Sequence, residues 1–310
     1  MFDIEQYYEA GSVEEAVRLL SEHEDAELIC GGTDVLVKLR DGKGAGGSLV
    51  SIHEISSLRG VKRLEDGTLV IGPATCFTDI TNHPLIQKYV PYLGEAVDTV
   101  GGPQVRNQGT IGGNVCNGAT SADSAATLQT LNAVVVLQGT DGVRKVPVTR
   151  FYTGPGRTVR RHDEVCRAIE IRPEDYLGFT GCYLKYGKRS AMEIATLGCC
   201  VRVNLDPESG RIREARIGYG VAAPTPIRCP ETEASLAGMN AEDGRIYEKI
   251  GNGVLNEVNP RSSWRASKEF RLQLISELAR RALREAIRRS LNHEAPFEAL
   301  PEEKGGDQSC

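Results

Sequence analysis

The 310-residue sequence contains no run of about eighteen apolar residues, the length that a membrane-spanning helix requires. It also has no excess of positive charge. The formal net charge is −5, whereas a general nucleic-acid-binding protein needs a basic surface to neutralise phosphates. Residues 1–5 contain acids where a secretory signal peptide carries basic residues, and no apolar segment follows them. These absences predict a cytoplasmic protein that binds neither nucleic acid nor membrane.

The spacing typical of metal ligands is absent as well. The nine cysteines include no Cys-x-x-Cys pair, and the five histidines show no ligand spacing. An odd number of scattered cysteines in a reducing compartment argues against a disulfide framework. We therefore predict no metal site. We expect most cysteines, including Cys30 and Cys116, to pack as small buried apolar residues.

The remaining composition is that of an ordinary globular protein, with 40% hydrophobic and 25% charged residues. A length of 310 residues predicts about two domains with their own cores. The composition turns polar around residues 173–176, which indicates a boundary. We predict a first domain at residues 1–176, a second at 177–292 and a disordered tail at 293–310.

The first forty residues have clear helix and strand signals. Ser12 and Glu15 have the spacing of a capping box, so a helix is predicted to start there and to run to about His23. A buried strand at residues 26–30 leads into a glycine pair, and a helical turn follows from Val35. Strand, glycine turn and helix start in this order favour an anion at the helix N-terminus.

Similar patterns continue along the chain. Residues 78–90 are predicted to be helical with a break at Pro84, and residues 133–148 to form a β-hairpin. A long helix is predicted at residues 267–292, with an apolar face at helical spacing. That face comprises Phe270, Leu274, Ile275, Leu278, Ala282, Ala286 and Ile287. The arginines of this helix, Arg271 among them, are expected mostly off that face, on a solvated or subunit-contacting side.

Two glycine-rich segments, residues 31–34 and 110–114, are the most informative feature of the chain. Adjacent glycines can adopt positive φ, so that successive backbone N–H groups point at one phosphate oxygen. Two such cradles suit the two phosphates of a dinucleotide, and here point towards FAD. Either segment alone is equally explained as a structural turn. Residues 101–118 are too rich in glycine to predict a good helix.

Other nucleotide motifs are missing or misplaced. No P-loop lysine follows either glycine segment, which disfavours ATP chemistry. Residues 42–47 match G-x-G-x-x-G in letters. They follow a helix and precede a strand, the reverse of the dinucleotide-binding context. We therefore interpret residues 42–47 as a mobile surface loop.

At these segments the sequence resembles a known family. Residues 30–34 resemble the A-G-G-T-D loop of the FAD subunits of molybdenum hydroxylases, and residues 104–114 resemble their Q-[IV]-R-N-x-[AG]-[ST]-x-G-G-N segment. Residues 219–228 and 260–271 are similar to the C-terminal domain of the same family. The resemblance covers about residues 1–290, and within the family it is greatest to the separate FAD-binding subunit of bacterial xanthine dehydrogenase.

The resemblance implies an α+β fold. Residues 1–176 would form a two-subdomain FAD-binding domain like those of vanillyl-alcohol oxidase and PCMH-type proteins. Residues 177–292 would form a C-terminal α+β domain of the CO-dehydrogenase-flavoprotein type, placed over the flavin.

The resemblance also implies site residues. Those expected around the pyrophosphate and adjoining parts of FAD are Glu27, Leu28, Ile29, Cys30, Gly31, Gly32, Thr33 and Asp34. Those of the second cradle are Gly109, Thr110, Ile111, Gly112, Gly113 and Asn114. Asn117 and Asp123 would reach sugar or ribityl hydroxyls, Val165 would border the adenine or the flavin, and Lys185 would lie near the isoalloxazine.

Further details of the resemblance concern the flavin ring. A positive charge at Lys185 would favour reduced, anionic flavin, and the alternative is a surface lysine on a strand. Glu193 falls near an acidic position of the family. Val100 stands where relatives place an aromatic residue over the flavin, so stacking there is not expected. The chain lacks the cysteine-bearing insertion found in the flavin subunits of the 4-hydroxybenzoyl-CoA reductases. We therefore have no reason to expect an additional iron–sulfur cluster in it.

The implied function is electron transfer within a complex. A molybdopterin-binding large subunit would oxidise hypoxanthine or xanthine, and a small subunit with 2Fe–2S clusters would pass electrons to the FAD held here, with NAD as acceptor. No catalytic acid or base in this chain is expected. Alternatives are a related hydroxylase for another heterocycle, an aldehyde or CO; a stand-alone FAD reductase resembling the UDP-N-acetylenolpyruvoylglucosamine reductases; and a cofactor-free interaction subunit.

Overall fold

The computed structural model of the chain describes residues 3–43, 47–189 and 191–292. Its strands are β1 (Ile4–Glu9), β2 (Glu27–Ile29), β3 (Gly47–Ser51), β4 (Val61–Arg63), β5 (Leu69–Ile71), β6 (Val134–Gly139), β7 (Gly142–Pro147), β8 (Tyr152–Gly154), β9 (Arg157–Thr158), β10 (Val165–Ile171), β11 (Phe179–Tyr186), β12 (Leu197–Leu205), β13 (Ile212–Gly220) and β14 (Ile227–Arg228). Its helices are α1 (Val13–Glu22), α2 (Val35–Arg40), α3 (Phe77–Asn82), α4 (Pro84–Tyr89), α5 (Pro91–Asp98), α6 (Pro103–Gln108), α7 (Ile111–Cys116), α8 (Asp123–Thr130), α9 (Pro230–Leu236), α10 (Arg245–Gly253) and α11 (Lys268–Leu291). The predicted tail at 293–310 and the middle of the predicted loop at 42–47 lie outside the described residues.

The N-terminal strands form a parallel sheet in the order β1-β3-β2, with α1 as the crossover between β1 and β2. The predicted start of α1 is confirmed. The Ser12 hydroxyl accepts a hydrogen bond from the Glu15 N–H at 3.1 Å, and the Glu15 carboxylate accepts from the Gly11 N–H at 2.9 Å. These bonds satisfy two backbone donors at the helix start, and α2 begins directly after the glycine pair that follows β2.

The second sheet is antiparallel, in the order β4-β5-β10-β6-β7. The predicted hairpin is confirmed, since Gly139 pairs with Gly142 across its turn. The predicted break at Pro84 is confirmed too, because α3 ends at Asn82 and α4 starts at Pro84. One buried cluster joins Ile71 of this sheet to residues of the helices that follow it.

The third sheet is antiparallel, in the order β11-β12-β13-β14, and lies between α8 and α11. Alternate residues face the two helices, as the period of a strand requires. Tyr219 donates a hydrogen bond to the Ile275 carbonyl of α11. Gly218 faces α8, where a Cβ would lie 2.3 Å from the Ala126 carbonyl oxygen. The boundary between residues 176 and 177 remains a prediction.

Two expectations about local structure are wrong. The segment 101–118 contains helices α6 and α7 in spite of its glycines. Its second helix is stabilised by a cap, since the Thr110 hydroxyl accepts from the Gly113 N–H at 3.2 Å. Arg271 lies on the buried side of α11 with 2% of its surface exposed, because backbone carbonyls of the preceding loop accept its hydrogen bonds.

Candidate functional site

One large cavity is lined by both predicted glycine segments and by residues of the C-terminal half. Its volume is about 1440 Å³. Pockets for drug-sized ligands usually measure about 300–1,000 Å³, so this cavity suits a larger molecule. Its lining combines polar groups of residues 27–38 and 109–123 with apolar side chains such as Phe77 and Val100.

The first glycine segment presents unpaired donors to this cavity. The backbone N–H groups of Gly31, Gly32, Thr33 and Asp34 donate to no acceptor within the described part of the chain. Gly32 has φ +70°, a conformation that glycine adopts without strain. Four consecutive donors directly before α2 form a concavity that suits an anion.

Close backbone packing explains the other glycine of this pair. A Cβ on Gly31 would lie 1.7 Å from the carbonyl oxygen of Gln108 and 3.3 Å from the Cα of Gly109. Any side chain at this position would therefore push the first segment away from the second. The contact is what brings the two glycine segments, far apart in sequence, to one wall of the cavity.

The second glycine segment differs from the expected phosphate cradle. Ile111 N–H donates to the Thr75 carbonyl at 3.2 Å, and Gly112 N–H donates to the Pro73 carbonyl at 2.8 Å. The next two amides, those of Gly113 and Asn114, bond to Thr110 within the first turn of α7. Gly112 and Gly113 do not have positive φ. The glycines here permit close packing, since a Cβ on Gly112 would lie 2.4 Å from the Pro73 Cβ.

Lys38 joins the first glycine segment to Asn117, the residue that ends α7. Its ammonium donates to the Asn117 side-chain oxygen at 3.0 Å and lies 3.3 Å from the Asp34 carboxylate and 3.7 Å from that of Glu27. The sequence prediction missed this lysine. Its position four residues after Asp34 on α2 was the available signal, because such residues share one face of a helix.

Asp123, at the start of α8, accepts hydrogen bonds from two residues of the C-terminal half. Its two carboxylate oxygens accept from the Tyr183 hydroxyl at 2.8 Å and from the Lys185 ammonium at 2.9 Å. The carboxyl is 7% exposed. Burial raises the pKa of Asp123, and the hydrogen bonds and charge of its partners act in the opposite direction.

Lys185 has no free donor. Besides Asp123, its ammonium donates to the Thr99 carbonyl at 2.8 Å and to the Glu193 carbonyl at 3.0 Å. An ammonium group has three donors, and all three are used. Lys185 therefore ties the end of α5, the start of α8 and the loop between β11 and β12 to one point beside the cavity.

The loop between β11 and β12 forms part of the cavity wall. The Glu193 carboxylate accepts from the N–H groups of Lys188 and Arg189 at 2.7 and 2.9 Å. A Cβ on Gly187 would lie 1.1 Å from that carboxylate, so a larger residue there would displace the Glu193 side chain. Met192 has φ +55° and lies against Gly102.

The predicted site residues divide into two groups. All of them line the cavity except Ile29, Ile111, Val165 and Lys185. Glu193, which falls near an acidic position of the family, also lines it. Val165 is fully buried in a core beside the first sheet, whereas its neighbour Cys166 lines the cavity. Successive side chains of a strand point to opposite faces, so a shift of one residue moves the contact from one face to the other.

Three cysteines line the cavity, namely Cys30, Cys116 and Cys166. Burial raises the pKa of the Cys30 thiol. A hydrogen bond from Cys166 lowers the pKa of Cys116, and burial opposes this. Within the described ranges no group of three or more metal-ligating side chains occurs, and no helix there has the length and apolar character needed to cross a membrane.

Several lining residues were not predicted. They include Pro73, Phe77, Gly101, Gly102, Thr153, Gly156, Arg157, Thr158, Arg160, Lys188, Arg189, Met192, Ile194, Trp264 and Arg265. Most lie in loops, where sequence periodicity carries no signal. Trp264 lies in a segment that resembles the family but had no role assigned to it.

Comparison with known proteins places this geometry in a family. The model for the FAD binding domain in molybdopterin dehydrogenase matches residues 2–173, and that for the CO dehydrogenase flavoprotein C-terminal domain matches residues 182–286. The xanthine dehydrogenase FAD-binding subunit of Escherichia coli O157:H7 is 42% identical over 93% of this chain and 97% of its own length. The nicotinate dehydrogenase FAD-subunit of Eubacterium barkeri is 31% identical over 75% of this chain and 79% of its own length.

A solved structure shows the same architecture. The carbon monoxide dehydrogenase from Hydrogenophaga pseudoflava contains a chain that superposes with a TM-score of 0.87 and 30% identity, covering 93% of this chain and 99% of that one. The expected fold, an FAD-binding domain followed by a CO-dehydrogenase-flavoprotein-type domain, is therefore confirmed. This chain belongs to the family of FAD-binding subunits of molybdenum hydroxylases.

Proposed function

We propose that this chain is the FAD-binding subunit of a xanthine dehydrogenase. In this role it passes electrons from 2Fe–2S clusters on a small subunit through FAD to NAD, while a molybdopterin-binding large subunit oxidises hypoxanthine and xanthine. The 42% identity to the xanthine dehydrogenase FAD-binding subunit supports the substrate assignment. Because family members also serve nicotinate and carbon monoxide dehydrogenases, the substrate depends on the partner subunit.

The observation that carries the FAD assignment is the set of four unpaired N–H groups at residues 31–34, which face a cavity of about 1440 Å³. We infer that these groups donate to the FAD pyrophosphate. Lys38 would offset the negative charge of the Asp34 and Glu27 carboxylates beside it. The second segment would shape the cavity by close packing, and its own amides would contribute little to phosphate binding, since protein acceptors already use them.

The other predicted residues receive roles that follow from their contacts. Asn117 and Asp123 are the polar side chains placed to meet sugar or ribityl hydroxyls, as the resemblance implies. The three N–H donors of the Lys185 ammonium are all used by protein acceptors, so Lys185 would not bind the flavin directly. It would influence the flavin by positioning Asp123 and the loop that carries Glu193. Phe77, Val100 and Cys166 supply apolar surface that would exclude water from the ring.

Bound FAD supplies the exchange between single electrons and a two-electron hydride. The chain itself then has to hold the cofactor, tune its potential and control access to it. No acid or base in the chain is needed for this task. The cavity opens beside Lys188, Met192 and Trp264, which leaves an approach from solvent for an acceptor.

The test is an absorption spectrum of the purified full-length chain, with mass spectrometry of the cofactor released by heat. We expect about one FAD per chain. The chain should oxidise NADH with an artificial electron acceptor but should not hydroxylate xanthine without its partners. A chain that neither contains nor binds FAD would refute the assignment, and xanthine turnover by the isolated chain would refute the role as a subunit.

The substrate is tested on the assembled complex. Co-purification of the tagged chain from its native host should recover a molybdenum-containing subunit and an iron–sulfur subunit. The recovered complex should reduce NAD with xanthine faster than with nicotinate or an aldehyde. A faster reaction with one of these other substrates would retain the family assignment and reject the xanthine assignment.

A further inference from the structure

Val221, in the loop between β13 and β14, has a backbone conformation that valine rarely adopts. Its φ is +67°, in the left-handed region. In the described part of the chain the other non-glycine residues with positive φ are Asn132 and Met192. Asparagine tolerates this region, whereas a β-branched residue is strained in it. Such strain persists only where the surrounding structure imposes it, and it is concentrated at functional sites.

The backbone around Val221 is fixed by its neighbours. The Val221 N–H donates to the Thr120 carbonyl at 3.1 Å, and the Ala222 carbonyl accepts from the Asn259 N–H at 2.9 Å. Ala222 itself is fully buried. On the other side of Val221, a Cβ on Gly220 would lie 3.2 Å from the Thr120 carbonyl oxygen. These contacts hold the loop against Thr120 and impose the conformation of Val221.

Thr120 makes a second hydrogen bond to the same loop. Its hydroxyl donates to the Pro224 carbonyl at 2.9 Å. Thr120 therefore accepts with its carbonyl and donates with its hydroxyl, and both partners belong to the C-terminal half of the chain. We call these two hydrogen bonds the Thr120 contact.

The Thr120 contact supports the segment 117–122, which connects α7 to α8. Asn117, Ala119, Ser121 and Ala122 of this segment line the cavity, whereas Thr120 is bonded to the β13–β14 loop and does not line it. Asp123 follows directly at the start of α8. A shift of residue 120 would therefore move several polar groups of the cavity wall.

The beginning of this segment is held by a different element. The Gly118 carbonyl accepts from the Gly156 N–H of the turn between β8 and β9 at 2.9 Å. A Cβ on Gly118 would lie 2.9 Å from the Arg157 nitrogen, so the two backbones are packed closely. The N-terminal half of the chain thus holds residue 118, and the C-terminal half holds residue 120.

We propose that Val221 and Thr120 are positioning residues for the flavin site. The strained backbone of Val221 directs its N–H at Thr120, and the Thr120 contact keeps the segment 117–122 in the conformation that receives FAD. A segment that is already ordered spares the ligand the free energy of ordering it, which increases affinity. Because the role requires FAD in the cavity, it rests on the proposed function.

The test measures FAD release from the full-length chain purified with its cofactor. The change of flavin fluorescence after dilution gives the release rate, and denaturant unfolding gives the stability of each protein. Thr120→Val lacks the hydroxyl, Thr120→Ser keeps it, and Val221→Asn keeps the N–H and tolerates positive φ. Val221→Pro removes both the N–H and the positive φ. The control is Thr140→Val, which removes a hydroxyl that donates to Asp163 at 2.7 Å, at an exposed turn outside the cavity lining.

We expect Thr120→Val to release FAD about tenfold faster than the unaltered chain, the effect of losing one hydrogen bond. Val221→Pro should release it at least as fast as Thr120→Val. Thr120→Ser and Val221→Asn should release FAD at the unaltered rate, because both retain the Thr120 contact. Thr140→Val should lose about as much stability as Thr120→Val and still release FAD at the unaltered rate.

Several outcomes would overturn this role. The first is an unaltered release rate in Thr120→Val. The second is fast release from Thr120→Ser or Val221→Asn, which would show that the hydroxyl and the backbone N–H are not what matters. The third is fast release from Thr140→Val, which would make the effect one of general stability. If Val221→Pro does not fold, the two Thr120 variants decide the proposal. Each of these outcomes leaves the proposed function intact, whereas an unaltered chain that binds no FAD refutes the proposed function itself.

Discussion

The Lys185 ammonium lies 2.9 Å from the Asp123 carboxylate, and the two groups are 9% and 7% exposed. The pair joins strand β11 of the C-terminal sheet to helix α8 beside the cavity. Since Thr99 and Glu193 carbonyls take the other two donors of Lys185, its charge acts on the cavity through its partners.

We expect Lys185→Met to lose about 3–5 kcal/mol of stability, because it leaves the buried Asp123 carboxylate without its cation. The variant should still bind FAD, with a lower flavin reduction potential. Denaturant unfolding and redox titration measure these quantities. The double variant Lys185→Met, Asp123→Asn should recover much of the lost stability, since no unpaired charge remains. An unchanged potential would remove Lys185 from the flavin environment.

Gly31→Ala should abolish FAD binding, because its Cβ would meet the Gln108 carbonyl oxygen at 1.7 Å and separate the two glycine segments. The measurement is the flavin content of the purified variant and its affinity for added FAD. Gly11→Ala is the matched control, since its Cβ meets no atom closer than 3.5 Å. Circular dichroism shows whether both variants remain folded. Full flavin content in a folded Gly31→Ala protein would contradict the assigned cradle.

Glu164 anchors the segment that leads from β9 to β10. Its side chain, 1% exposed, accepts from Arg144 at 2.6 and 2.8 Å and from the Arg161 N–H at 2.7 Å. Burial alone would raise the pKa of Glu164, but these hydrogen bonds and charges outweigh it, and the pKa lies below its ordinary value of 4.5. A carboxyl whose pKa is lower in the folded than in the unfolded protein stabilises the fold at any pH above its unfolded-state pKa. This stabilisation is lost as the pH falls through its folded-state pKa.

We therefore expect Glu164→Gln to lose about 1–3 kcal/mol of stability near neutral pH. The difference from the unaltered protein should shrink as the pH falls below 4.5, the ordinary pKa of the carboxyl, and through the lowered pKa of Glu164 in the folded protein. Denaturant unfolding across this pH range measures both effects. Glu174→Gln, at an exposed ion pair with Arg172, is the control and should change stability little. A pH-independent difference would show that the charge of Glu164 does not stabilise the fold.

Arg271→Lys should loosen the loop that carries Trp264, because a single ammonium cannot reach the four acceptors of the guanidinium. We expect lower emission anisotropy of Trp264 and a loss of about 1–3 kcal/mol of stability. Arg281→Lys is the control on the same helix, at an exposed pair with Glu277. Unchanged anisotropy in Arg271→Lys would show that the loop is fixed by other contacts.

The sequence was sufficient to predict the fold and the two glycine segments of the cavity wall, because the family motifs are specific. It could not show which amides are free. The amides of residues 111 and 112 bond to Thr75 and Pro73, partners some forty residues away that only the folded chain brings near.

The sequence also could not show which residue of a strand faces the cavity, or which individual side chains are exposed. The sequence does not show which face of β10 points to the cavity, so Val165 and Cys166 are equally plausible cavity residues until the structure is known. Arg271 follows the pattern of a solvated arginine, and its burial depends on carbonyls of a loop without secondary structure. Trp264 lies in that same loop with 78% of its surface exposed, and no helix or strand spacing in the sequence indicates its position.

The contact between Gly218 and Ala126 has a consequence for dissecting the protein. Helix α8 precedes the predicted boundary between residues 176 and 177, yet it covers one face of the C-terminal sheet. A cut at that boundary would leave each fragment with a bare apolar surface. The two fragments should therefore be recovered only when produced together, as a split protein whose reassociation reports on the interface.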